Sequence, residues 1–307
     1  MTASTVTTYV VPALFAVGVW WFATGYILWL GRKPANSHVA GMITATVLAL
    51  GGFAVLSLTA NSKDTVAAYA AFTAAIAIWG WHELSFVYGF VTGPRRAPCP
   101  EGARGMQRFS LAFQTMLYHE LAILVGGLLI FAMSLLGDNQ VGLITYLILW
   151  AMRISAKLNL YFGVPNMAVE MMPLRLSYLA SYFNTVRISA FFPVSVTLAT
   201  LVLTGAIYAI ATGMTESGPV TTTAAVLCTT LLALAVFEHW VLILPFNEMK
   251  LWGRFLGQDT SKPVATLLGK PVSVDTGATH DGSDATATDF DTTRQTSLSA
   301  PVKGATV

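Results

Sequence analysis

The chain has 307 residues, 55% hydrophobic and only 10% charged, with a net charge of +2 and a mean hydropathy of +0.64. A soluble domain carries about 25% charged residues, so the composition points to an integral membrane protein and away from soluble classes. The sequence holds no phosphate-cradling glycine loop, dinucleotide fingerprint or basic nucleic-acid module, so nucleic acid is not an expected partner.

The opening stretch MTASTVTTYVVPALFAV has no basic residue before its apolar run. It reads as a retained first transmembrane helix and not as a cleaved signal. Apolar runs of about 20 residues cross a bilayer. Seven are predicted, over 9–30, 39–60, 66–92, 107–136, 141–162, 191–213 and 222–246. The third and fourth exceed what a bilayer needs, so they tilt or extend beyond it. Residues 163–190 mix Met, Leu, Tyr and Phe with Glu170, Arg175 and Arg187, which predicts a short interfacial helix after Pro173. Residues 257–307 are rich in Thr, Ala, Ser, Asp and Gly, and are expected to form a disordered cytoplasmic tail. Cys99 lies in a polar loop and Cys228 in an apolar run, so no disulfide framework is expected. The fold class is therefore all-α: a polytopic, seven-helix membrane domain over residues 1–256, with the lipid bilayer as its first partner.

Loop charges orient this bundle. Arg32 and Lys33, then Arg95, Arg96, Arg104 and Arg108, then Arg175 and Arg187, then Lys250 and Arg254 fall in alternate connections. The other connections hold Lys63 with Asp64, Asp138 and Glu216. Positive charge favours the cytoplasmic side, so the N-terminus is expected in the periplasm and the C-terminus in the cytoplasm.

Three His–Glu neighbours interrupt the apolar runs: His82-Glu83, His119-Glu120 and Glu238-His239. Each ionisable side chain costs roughly 2.5–3.5 kcal/mol at the centre of a membrane helix. The predicted spans put His82 and His119 about ten residues, roughly 15 Å, inside the bundle. Arg153 and Lys157, four apart and so on one helix face, fall at similar depth, followed by Asn159 and Asn166. Trp79, Trp81, Tyr118, Tyr161 and Trp240 flank this layer as an aromatic wall.

Two readings of the layer stand side by side. In the first, Glu83, Glu120 and Glu238 pair with Arg153 and Lys157, and neutral histidines bridge helices. In the second, the His and Glu side chains bind a metal ion or a magnesium tetrapyrrole, since imidazole is the commonest metal ligand and carboxylates accompany it. A proton relay is a third use of the same groups. The Glu-x-x-His of di-iron bundles is absent, as is the His-Glu-x-x-His of zinc peptidases, so a metal site would have to be assembled from separate helices.

The strings WGWHELSFVYGFVTGPRRAPCPEG, YHELAI, KLNLYFGVPN, LSYLASYF and EHWVLILPF occur in that order. Together they resemble the photosynthetic complex assembly proteins of purple phototrophic bacteria, the PuhE type, across residues 9–256. This family is typically encoded beside the gene for the reaction-centre H subunit. The resemblance implies a multi-pass protein of the bacterial inner (intracytoplasmic) membrane that assists assembly of the reaction centre and core antenna. Bacteriochlorophyll or a precursor is the implied ligand, and reaction-centre or core-antenna subunits and pigment-synthesis enzymes are the implied partners. It assigns no catalytic residues, and the expected role is assembly rather than catalysis. His82, Glu83, His119, Glu120, Lys157, Asn159, Asn166, Glu238 and His239 lie in the family's recurrent motifs. The alternatives are a metal-dependent membrane oxidoreductase acting on a tetrapyrrole and a carrier for pigment precursors.

Overall fold

A computed structural model describes residues 3–166, 172–185, 187–215 and 221–244. The regular structure of those residues is all helical, with no strand among them. In chain order the helices are α1 (Ala3–Gly31), α2 (Ala35–Thr59), α3 (Thr65–Val87), α4 (Gly105–Gln114), α5 (Leu117–Ser134), α6 (Val141–Phe162), α7 (Phe191–Ala211) and α8 (Thr222–Val241). A short 3-10 run, Leu174–Tyr182, follows Pro173. Six of these helices, all but α3 and α4, are long and apolar enough to cross a membrane. The tail expected at 257–307 lies outside the described residues.

Local chemistry accounts for several boundaries. Asp64 has extended backbone and its carboxylate accepts the Ala67 N–H at 3.0 Å, capping α3. The Thr221 hydroxyl accepts the Ala224 N–H and caps α8 in the same way. In α1 a π turn at Val6–Val10 precedes Pro12. Proline has no N–H to give the carbonyl four residues back, and a widened turn accommodates that loss.

The helix α3 is the hub. It packs against α1, α2, α5, α6 and α8, and its many alanines let those neighbours approach. Gly52 of α2 faces it so closely that an added Cβ would stand 2.9 Å from the Ala74 carbonyl oxygen. Over half of the apolar window of α8 is buried (56%) against 11% for α7. Accordingly α8 lies among the other helices, whereas α7 packs chiefly on α8 and α6.

The span expected at 107–136 is two helices, not one. Met116 leaves the helical region (φ −127°, ψ 8°) between α4 and α5. The preceding loop enters the break and takes over its backbone bonds. The Arg95 N–H donates to the Gln114 carbonyl at 3.3 Å, and the His119 N–H donates to the Thr92 carbonyl at 2.9 Å. Gly93 makes this approach possible, because a Cβ there would collide with the backbone of Gln114, Thr115 and Met116. The third predicted span also ends early, at Val87 instead of 92.

Candidate functional site: a polar layer on two faces of one helix

These shorter helices move the expected polar layer. His119 lies in the first turn of α5, and His82 five residues before the end of α3. At 1.5 Å per residue His82 is roughly 8 Å from that end, so the layer sits nearer the helix termini than the spans 66–92 and 107–136 imply.

The candidate residues fall into two networks on either side of α6. Residues two apart on a helix point about 200° from one another. Arg153 and Lys157 therefore share one face, and Ser155 and Asn159 share the opposite one.

The first face meets α3 and α5. The Arg153 guanidinium donates to Glu83 Oε2 at 2.6 Å, and the Lys157 ammonium donates to Glu120 Oε1 at 2.5 Å. Both carboxylates are thus engaged with cations. The Lys157–Glu120 pair is the more enclosed, with each side chain 16% exposed, whereas Arg153 is 42% exposed. About two helical turns along α6 from Arg153, the Tyr146 hydroxyl donates to the Ile123 carbonyl at 2.8 Å. That hydroxyl has no second hydrogen, so the contact of 3.0 Å to His82 Nε2 is one in which the imidazole donates. In that tautomer Nδ1 of His82 keeps its lone pair. It is buried and has no partner. His119 is 0% exposed, its ring lies 4.6 Å from that of Phe86, and neither of its ring nitrogens has a partner. Lys157, Arg153 and His82 are close enough to act on it electrostatically. Glu83 Oε1 and Trp150 Nε1 are also buried without partners.

The second face meets α7 and α8 and is more nearly complete. The Ala235 carbonyl can only accept, so His239 Nδ1 donates to it at 2.8 Å, leaving Nε2 to accept from the Ser155 hydroxyl at 2.9 Å. Asn159 Nδ2 donates to the Ser155 carbonyl and to the Ser195 hydroxyl, both at 3.0 Å. The Ser195 hydroxyl donates in turn to the Phe192 carbonyl. Only Asn159 Oδ1 is left unpaired in this group. Asn166 ties the chain after α6 to the end of α8, through Nδ2 to the Val241 and Leu244 carbonyls.

Other expected residues lie elsewhere. Glu238 is exposed on α8. Trp79 stands edge-on to Tyr146 at 5.4 Å, and Trp81 edge-on to His82 at 5.2 Å, with its indole N–H donated to Thr46. These two form a true wall of the first face. Tyr118 is 52% exposed and Trp240 44%, and Tyr161 stacks under Arg108 at 4.7 Å. Four residues that the sequence analysis did not single out complete the site: Tyr146, Ser155, Ser195 and Gly126. An added Cβ at Gly126 would sit 2.7 Å from His82 Nε2 and 2.9 Å from the Tyr146 hydroxyl, so the glycine makes room for that bond.

The arrangement limits the chemistry. Among the described residues no three His, Cys, Asp or Glu side chains group so as to hold a metal ion. His82 and His119 offer nitrogen lone pairs of the kind that bind the metal of a tetrapyrrole. Space is a different matter. A ligand of that size needs a pocket of about 300–1,000 Å³, and neither histidine lines the half-open cavity of about 760 Å³ that lies elsewhere. A macrocycle would reach them only if α3 and α5 parted.

Helices of this length and apolarity, with ion pairs enclosed between them, are the make-up of a multi-pass membrane protein. The chain belongs to the family described as "Protein of unknown function (DUF3623)", whose model matches residues 6–262. It is similar to a protein of Rhodobacter capsulatus described as "Uncharacterized 30.4 kDa protein in puhA 5'region". The two are 37% identical over 248 residues, covering 78% of this chain and 88% of the relative. No solved structure matches the chain.

Proposed function

We propose that this protein is an inner-membrane assembly factor for the photosynthetic reaction centre and its core antenna, acting by holding an apoprotein. The observation that carries this reading is the relative's description, which places it in the puhA 5' region, together with identity over most of both chains. The polar layer supports a holding role over a catalytic one, because Glu83 and Glu120 are already engaged with cations. We further read α3 as a seventh crossing, with the N-terminus periplasmic and the C-terminus cytoplasmic. Its 23 residues span about 34 Å, and the loop charges alternate as that topology requires.

A second reading, handling of bacteriochlorophyll or a precursor, draws support from the unpartnered nitrogens of His82 and His119. When bound, the pigment would supply a magnesium ion for an imidazole to ligate. The protein's share is to keep those nitrogens free of other bonds and shielded from water.

The two readings share one experiment. Deleting the gene in a phototrophic host should lower the near-infrared absorption of assembled reaction centre and core antenna while pigment synthesis continues. Unchanged absorption would overturn both readings. An absorption spectrum of mildly purified protein then separates them: a visible band abolished by His119→Ala favours pigment handling. Colourless protein that co-purifies with reaction-centre or antenna subunits favours apoprotein binding.

A further inference from the structure

A second polar site lies apart from the layer, at the ends of α1 and α3. Arg32 and Lys33 reach it from the α1–α2 connection, Arg96 from the loop after α3, and Arg175 from the 3-10 run. They border a cavity of about 760 Å³ whose apolar wall includes Leu28 and Val87. Among the described residues no acidic side chain lines it and none of the four cations forms an ion pair. Burial lowers the pKa of Arg32 from its ordinary value.

Arg175 is held in place by the groups around it. His38 is 3% exposed and stacks on Tyr88, with ring centroids 4.1 Å apart. Its Nε2 donates to the Lys33 carbonyl at 2.9 Å, leaving Nδ1 to accept from Arg175 Nη1 at 2.7 Å. The same Nη1 donates to the Tyr88 carbonyl at 2.9 Å. Gly89 has φ +74°, and a Cβ there would press within 3.3 Å of the Arg175 side chain. The wall also holds the hydroxyls of Thr92 and Tyr178, which are buried. They lie near enough to influence one another, yet neither reaches ordinary hydrogen-bond geometry.

Converging cations from three separate connections, an apolar wall running down to helix ends and spare buried hydroxyls make up the features of an anion-headed site. We propose that this cavity binds a phosphate-type anion, carried by a membrane phospholipid headgroup or free in solution. Basic pockets between membrane helices recognise phospholipid headgroups by the same combination of charge and apolar wall.

The test uses the full chain in mild detergent, offered phosphatidylglycerol and phosphatidylcholine in equal amounts and read by native mass spectrometry. Phosphatidylglycerol should be retained in preference. Arg32→Gln with Arg96→Gln should weaken that retention on the order of twentyfold, from roughly fivefold per cation. Lys63→Gln, at the far end of α2, should leave it unchanged. If the double variant fails to fold, Arg96→Gln alone should show the fivefold loss. Saturable thermal stabilisation by inorganic phosphate, lost in the variant and without a lipid preference, would identify free phosphate as the source. No preference between the lipids and no effect of phosphate would overturn the proposal, as would retention that the variants do not change.

Discussion

The two faces of α6 handle buried polarity differently. Toward α7 and α8, His239, Ser155, Asn159 and Ser195 satisfy one another and the backbone, leaving one amide oxygen unpaired. Toward α3 and α5, charges are paired but His119, His82 Nδ1 and Glu83 Oε1 are left without partners. A buried group without a partner costs about 1–3 kcal/mol, and a protein tolerates that cost where the group has another use. The first arrangement is what a structural network requires. The second leaves two imidazoles and a carboxylate oxygen short of partners.

Breaking the enclosed ion pair should have the largest effect. Lys157→Met leaves Glu120 charged and uncompensated, and should destabilise by about 3–5 kcal/mol in thermal unfolding. Replacing both partners, Lys157→Met with Glu120→Gln, should recover most of that loss. Arg153→Met should cost less than Lys157→Met, because Arg153 is 42% exposed against 16%. Gly126→Ala comes next. Its methyl would press on His82 Nε2 and the Tyr146 hydroxyl, and overpacking of this kind costs about 1–3 kcal/mol. Tyr146→Phe should cost up to about 1.7 kcal/mol, the upper range for a hydrogen bond between membrane helices. Ser155→Ala, on the completed face, removes the donor to His239 and should cost about 0.6 kcal/mol. If Ser155→Ala proved costlier than Tyr146→Phe, the contrast between the faces would fail.

Much of this was legible in the sequence. Composition and apolar runs locate the long helices within a few residues, because a bilayer requires about 20 apolar residues per crossing. The spacing of Arg153 and Lys157 places both on one face, and the shortage of other charge in the apolar runs offers Glu83, Glu120 and Glu238 alike as their partners. The break at Met116 was not legible. No glycine or proline marks it, and it arises from a distant backbone, that of Thr92 to Arg95, replacing the helix's own bonds. Tyr146 and Ser155 were equally hidden. A tyrosine or serine in an apolar run is unremarkable until the fold brings it to a histidine. Adjacency misled in the third His–Glu pair. Neighbouring residues point about 100° apart, so Glu238 is exposed while His239 is buried and satisfied.

The pigment-handling proposal requires that His119 be kept free of partners for a functional contact. Its replacement by Phe fills the same space and removes two unsatisfied polar atoms, so stability should be unchanged or slightly raised. The most direct test is complementation of a deletion strain with His119→Phe, reading near-infrared absorption of assembled reaction centre and core antenna at equal membrane levels of the protein. The account predicts normal protein levels with assembly lost; normal assembly by this variant would contradict it.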